Sequence, residues 1–215
     1  MRIVALKYGE TVLGEDYIFR GGSKEVVLPI SFTIYLIQTE NKNILVDAGC
    51  DDGAGFPMSL FKKPVEVLVE YGLQPEDITD VIITHAHPDH IEAIGHYETA
   101  TIHIQTEEYA QAKNYLPDRC IIHLIDEEYA LTDHITVKRI GGHSVGSCVV
   151  IADNYVFCGD ECYHKKCLTD QIMTGAFCDE EKSMQFLREY GDRRYTQLLF
   201  HDPHILEGSV GYQIV

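Results

Sequence analysis

The chain has 215 residues, 45% of them apolar, and its 34 Asp and Glu against 17 Lys and Arg give a formal net charge of −17. That balance, with no basic block anywhere, argues against a nucleic-acid partner, because phosphate contacts need clustered lysines and arginines. No run approaches the roughly 18 apolar residues of a membrane helix, and Met1 to Tyr8 has neither a long apolar stretch nor a small-residue cleavage site, so no membrane partner and a cytoplasmic location are expected.

In chain order, Ile3 to Tyr8 reads as a first strand and Val26 to Leu28 as a short one. Phe32 to Gln38 and Ile44 to Val46 bracket the polar turn Glu40-Asn41-Lys42-Asn43, as in a hairpin. The second run ends in Asp47-Ala48-Gly49, where the acid is placed either to orient a neighbouring histidine or to form an Asx turn. Asp51 to Leu60, with two glycines and a proline, reads as a loop beside the cleft. Pro64 to Tyr71 reads as a helix with Val65, Leu68 and Val69 on one face, proline in the first turn and Gly72 as its stop.

Ile78 to Ile83 is an apolar run that reads as a buried strand. It delivers Thr84-His85-Ala86-His87-Pro88-Asp89-His90, in which four of seven side chains can bind a metal. Two histidines one residue apart suit a bent loop where both rings turn to one ion. The following acid and third histidine are displaced along the turn, enough to start two neighbouring metal sites.

A helix is expected to begin in Ile91 to Gly95, followed by a strand at Thr101 to Gln105 and a helix from Thr106 to about Asn114. Ile121 to Ile125 and Ile135 to Ile140 read as strands. His96, His103, His123 and His134 lack ligand-like neighbours and read as surface or structural. Gly141-Gly142-His143-Ser144 sets a histidine on backbone free to approach a ligand closely.

Val149 to Ala152 and Tyr155 to Cys158 form a hairpin pattern that ends in Gly159-Asp160, a carboxylate at a strand terminus. Asp179 to Tyr190 reads as a helix with Met184, Leu187 and Phe186 inward. Gln197 to Phe200 is a strand that delivers His201-Asp202-Pro203-His204, and Tyr212 to Val215 closes the chain. The seven cysteines are odd in number and have no secretory context, so they read as reduced, mostly buried thiols; Cys158, Cys162 and Cys167, with His164 among them, are a weaker candidate cluster. No linker separates two domains, and two mixed sheets with helices outside, over residues 1–215, suit the order of elements.

His85-x-His87-x-Asp89-His90, Gly142-His143-Ser144, Gly159-Asp160 and His201, with Asp47-Ala48-Gly49 before them, resemble in identity and order the motifs of the metallo-β-lactamase superfamily. The resemblance covers nearly the whole chain. It implies a four-layer αβ/βα sandwich of two mixed sheets with helices on the outer faces, and a two-metal site in a cleft. Carried over residue by residue, His85, His87 and His143 would hold one Zn2+, Asp89, His90 and His201 a second, and Asp160 would bridge them. Iron or manganese is the alternative metal. Two such ions, about 3.5–4 Å apart, can share a hydroxide that attacks a carbonyl.

Within the superfamily the chain is similar to the N-acyl homoserine lactonase branch. Asp160-Glu161-Cys162-Tyr163 puts a tyrosine three residues after the bridging acid, and His201-Asp202 matches a His-Asp pair. Tyr163 would then serve as a catalytic hydrogen-bond donor, and Asp89 would take or pass a proton. One departure is that Glu92 and Ala93 stand where the family commonly has two glycines.

The expectation is a dinuclear zinc hydrolase acting on a lactone, ester, thioester or amide of a small molecule. The alternatives are an iron redox protein of the same fold, disfavoured by His87 where those proteins usually carry glutamate, a phosphodiesterase or nuclease, and a binding module without turnover. Monomer and homodimer both stay open.

Overall fold

The alternation of apolar residues along the first strand decides how many layers the fold needs. In β1 (Arg2–Gly14), Ile3 and Ala5 face one side and Val4, Leu6 and Tyr8 the other, and all are buried. A strand covered on both faces needs a layer on each.

The computed structural model, which describes residues 1–215, supplies those layers. The chain continues through α1 (Glu15–Ile18), β2 (Val27–Gln38), β3 (Asn43–Val46), β4 (Leu60–Phe61), α2 (Pro64–Tyr71), β5 (Asp80–Ile83) and α3 (Pro88–Ile91). There follow β6 (Thr101–Gln105), α4 (Thr106–Ala112), β7 (Ile121–Ile125), β8 (Glu128–Thr132), β9 (Ile135–Arg139) and β10 (Cys148–Ala152). The last elements are β11 (Tyr155–Phe157), α5 (Lys165–Asp170), α6 (Glu180–Tyr190), β12 (Thr196–Leu198) and β13 (Gly211–Ile214).

Eight strands form one sheet, in the order β13-β1-β2-β3-β5-β6-β7 with β4 beside β1, and five form the other, β12-β11-β10-β9-β8. Both are mixed: β3, β5, β6 and β7 run parallel, as do β11 and β12. Between them Ile3, Ala5, Tyr35 and Ile37 meet Val137, Val150 and Phe157 in one buried cluster. The outer faces pack on helices, Val4 and Leu6 in the cluster that holds Val67 and Leu68 of α2, Val149 and Val156 in the same cluster with Phe186 and Leu187 of α6. This is the expected αβ/βα sandwich. No helix is long and apolar enough to cross a membrane.

Several elements differ from expectation. The two runs expected at Val26–Leu28 and Phe32–Gln38 are one strand, β2, with Pro29 inside it. Ser31 and Thr33 donate their N–H groups away from β1, to the carbonyls of His201 and Phe200. Pro29 has the same parity, so its missing N–H falls outside the β1 ladder.

On α2 the buried face is Pro64, Val67 and Leu68, and Val69 is 43% exposed, because packing selects the 64/67/68 stripe over the 65/68/69 one. On α6, Ser183, Phe186, Leu187 and Tyr190 are buried and Met184 is only half-buried. The strand expected at Gln197–Phe200 pairs only over Thr196–Leu198, as β12. β8 and α5 were not anticipated. β8 is a half-exposed edge strand, and the cap of α5 is His164, whose ring accepts from the Lys166 N–H.

Candidate metal centre

The loops that carry the candidate ligands meet because β5, buried at every residue, points its carboxyl end at the same rim as β3, β11 and β12. The Thr84 carbonyl accepts from the Cys148 N–H at 2.8 Å and so joins the two sheets at that rim. Thr84 also donates its N–H to Asp47 at 2.7 Å, and its hydroxyl lies 2.9 Å from the other carboxylate oxygen.

Asp47 itself has φ 66°, a left-handed backbone that costs a non-glycine residue energy and is held here by these bonds. Ala48 and Gly49 both donate to the His90 carbonyl, at 2.8 and 3.2 Å. Gly49 has φ 79°, and a Cβ there would stand 2.5 Å from the Pro64 ring, so only glycine fits. Pro88 starts α3, where its absent N–H costs nothing, and the single turn swings Asp89 and His90 inward while His87 stays at the exposed mouth.

All seven residues expected from the sequence are brought together, in two groups. His85, His87, His143 and Asp160 form one, and Asp89, His90 and His201 the other, each with its donor atoms within 4.8 Å of one another. In the first, His87 Nδ1 lies 2.9 Å from His85 Nε2 and 3.1 Å from His143 Nε2. Nitrogens bonded at about 2.0–2.1 Å to one tetrahedral ion sit about 3.3 Å apart, close to these separations.

Asp160 divides its oxygens between the groups. Oδ2 lies 3.6 Å from His85 Nε2 and 3.5 Å from His143 Nε2. Oδ1 lies 3.1 Å from His90 Nε2 and 3.3 Å from His201 Nε2. Asp89 Oδ2 is 3.7 and 3.8 Å from the same two nitrogens.

The rings are turned by partners on their other nitrogens. His143 Nδ1 donates to the Ala176 carbonyl at 2.9 Å, His201 Nδ1 to the Ser31 carbonyl at 2.8 Å, and His90 Nδ1 to Asp47 at 2.8 Å. Each ring is therefore held with Nε2 toward the centre, the orientation that a metal needs. Thr84 Oγ1 lies 3.2 Å from His85 Nδ1. His90 also stacks on Phe200 at 3.8 Å between ring centroids. Burial pushes the His85 ring well below its ordinary range, so it stays neutral.

A divalent cation fits these residues. His90 Nε2 and Asp160 Oδ1 are buried and have no hydrogen-bond partner, although they approach to 3.1 Å, so both aim at something between them. Asp47, Asp89 and Asp160 face five histidines, and no lysine or arginine pairs with any of the three acids. Imidazole nitrogens with carboxylate oxygens are the donors zinc takes.

Tyr163 donates its hydroxyl to Asp160 Oδ2 at 3.0 Å, and its ring is 4.8 Å from that of His201. Burial, then the Asp160 charge, pushes its phenol well above the ordinary range, so it remains a donor. The expected cleft loop lies on the same side: Phe56 packs on Phe32 at 5.1 Å, and Phe32 on His201 at 5.1 Å. Of the two residues that replace glycines, Ala93 is buried and donates to the Gly49 carbonyl, while Glu92 is half-exposed.

The cysteines do not form a donor cluster. Cys158, Cys162 and Cys167 are buried, each thiol directed at a backbone carbonyl, of Val156, His164 and Ile18. His96, His103 and His134 pair with Asp51, Asp80 and Asp153, away from the centre. Sequence reasoning missed Glu108 and Glu161, two buried acids against the His143 loop. Glu107-Glu108 reads locally as the acidic start of a helix, and nothing in that pattern sets one glutamate apart.

Residues 32–119 match the family model of the metallo-β-lactamase superfamily. An N-acyl homoserine lactonase of Bacillus cereus is 26% identical over 175 residues, 68% of this chain and 70% of that protein. The N-acyl homoserine lactonase AiiA of Bacillus thuringiensis subsp. kurstaki is 27% identical over 135 residues, 52% of this chain, and the match spans about half of that protein, 54%. The crystal structure of a quorum-quenching N-acyl homoserine lactone lactonase superposes with a TM-score of 0.82 at 22% identity, over 94% of this chain and 92% of the other. A dizinc quorum-quenching lactonase, AidC, superposes with a TM-score of 0.76 at 17% identity, over 99% and 93%. At these identities the structural matches speak for the fold.

Proposed function

We propose that this chain is a metal-dependent hydrolase of the metallo-β-lactamase superfamily, whose family model residues 32–119 match, and that it holds two zinc ions and hydrolyses a lactone, or a related ester, thioester or amide, of a small molecule. The observation that carries the reading is Asp160, whose two oxygens are shared between two groups of imidazole nitrogens. His85, His87 and His143 would hold one ion, Asp89, His90 and His201 the other, with Asp160 common to both. When bound, such a pair lowers the pKa of a coordinated water and polarises the carbonyl under attack.

The rest is work for the chain's own side chains. Tyr163, a neutral phenol at the centre, would donate a hydrogen bond to the carbonyl oxygen as negative charge grows there. Asp89 would accept the proton released in the attack and pass it to the leaving oxygen. Phe32 and Phe56 beside His201 offer an apolar wall to the substrate's non-reacting part. Because ligands are drawn from His85 to His201, the whole of residues 1–215 would act as one catalytic unit.

The test is hydrolysis by zinc-loaded protein of lactones, thioesters, β-lactams and phosphodiesters side by side, with His87→Ala as control. Lactone turnover is expected, falling in the variant on the order of 10³-fold or more, the effect of losing several kcal/mol of metal-derived stabilisation. Full activity of His87→Ala at unchanged metal content would refute the assignment.

A further inference from the structure

The carboxylate of Glu108, on α4, is buried at 1% exposure and has no cationic side chain against it. Its partners are donors from two loops. Oε2 accepts from the Ala86 N–H at 2.8 Å; Oε1 accepts from the Ser144 hydroxyl at 2.7 Å and the Gly146 N–H at 2.9 Å. Ala86 stands between His85 and His87, and Ser144 follows His143. One rigid group thus ties the turn carrying two imidazoles to the turn carrying the third.

We propose that Glu108 is a positioning residue that sets the spacing of His87 against His143, and through it the affinity of the His85–His87–His143 group for its cation. The proposal rests on the reading that this group holds one.

Three further features support it. A carboxylate can accept on both oxygens at once, and the three donors here use both. The starting point of α4 is fixed, because Gln105 Oε1, at the end of β6, accepts from the Glu107 N–H, so Glu108 is held one turn from a strand adjacent to β5. The approach is close enough that a Cβ on Gly146 would stand 2.3 Å from Gln105 Oε1 and 2.8 Å from Glu108 Cγ. Glu108 makes no bond to the other group, whose rings are turned by Asp47 and the Ser31 carbonyl. Its influence is therefore confined to one of the two cations.

Glu108→Gln keeps the shape but leaves a single accepting oxygen and turns an NH2 toward a backbone or hydroxyl donor. Co2+ is titrated into metal-free wild type, Glu108→Gln and Ser144→Ala, each binding step followed by visible absorption, and thermal unfolding of each metal-free protein is measured in parallel. Wild type is expected to take up two ions. Glu108→Gln should weaken one step by about 10–100-fold and leave the other within about threefold, the scale on which partners of metal-binding side chains act. Ser144→Ala, which removes one donor and spares the carboxylate, should weaken the same step by a smaller factor, and it decides the matter if Glu108→Gln does not fold.

A wild type that binds no Co2+ removes the metal-site reading itself. A wild type that binds two, with both variants binding both as tightly whatever their Tm, overturns the role of Glu108 alone. Equal weakening of both steps overturns it as well.

Discussion

Strand β5 begins at Asp80 and ends beside Thr84, and each end sets carboxylates against imidazoles. At the beginning, Asp80 Oδ1 accepts from His103 Nε2 at 2.9 Å, and Oδ2 from the Lys42 ammonium and the Thr79 hydroxyl, both at 2.7 Å. At the far end, Asp47, Asp89 and Asp160 meet His85, His87, His90, His143 and His201 with no lysine or arginine among them. The first cluster closes on itself with an ammonium; the second leaves buried negative charge and inward lone pairs that need a cation from outside. Acid beside histidine is thus no sign of a metal centre by itself. The sign is nitrogens whose other partners have turned them toward an empty charge balance.

The widest separation between the two ends should come from Asp160→Ala. It removes the one carboxylate shared by both groups, so both cations should be lost and hydrolysis should fall on the order of 10³-fold or more. Elemental analysis of the purified variant beside its turnover checks this, and a variant that retains two metals would dissolve the contrast.

Asp47→Ala is the next step down. His90 keeps its place but loses the carboxylate on Nδ1, and the affinity for one cation should drop by about 10–100-fold. Titration with Zn2+ under a competing chelator reads this directly.

Asp80→Asn is the matched change at the other end and should leave metal content untouched. It should cost about 2 kcal/mol of stability, the scale of a hydrogen bond to a charged group. Burial alone would raise the Asp80 carboxyl, but the His103 N–H, the Lys42 ammonium and the Thr79 hydroxyl outweigh it and hold the pKa well below the ordinary range. A depressed folded pKa gives stability that is fully present above the unfolded value of about 3.9 and is lost as the pH falls toward the folded one. The Tm gap between wild type and Asp80→Asn should therefore be constant from pH 7 to about 5 and narrow below about pH 4. A gap that stays flat to pH 3 would mean Asp80 is not held as an ion.

The parts of this molecule that could be read along the chain are those written in neighbouring residues. The β5 strand and the His85 to His90 turn are local, so periodicity and spacing expose them. The buried face of α2 lies one position from the stripe that periodicity selects, because two stripes on that helix are apolar and only the neighbouring sheet chooses between them. Val26–Leu28 and Phe32–Gln38 read as separate runs but form one strand through Pro29, because whether a missing N–H matters depends on which edge it faces. Glu108 and Glu161 look like any solvated acids until the loop of His143 folds over them, Glu161 taking the Gly142 and His143 N–H groups at 3.1 and 3.2 Å.

Residue order alone determined that imidazoles and acids stand at strand ends in a chain short of positive charge, because those are matters of composition and local alternation. Only the tertiary structure decided which ring nitrogen each histidine turns inward and how Asp160 shares its oxygens. The His201 ring is aimed by the carbonyl of Ser31, 170 residues away, and the His143 ring by that of Ala176. A hydrogen bond of that reach exists only after the two sheets have packed, so no local pattern can encode it.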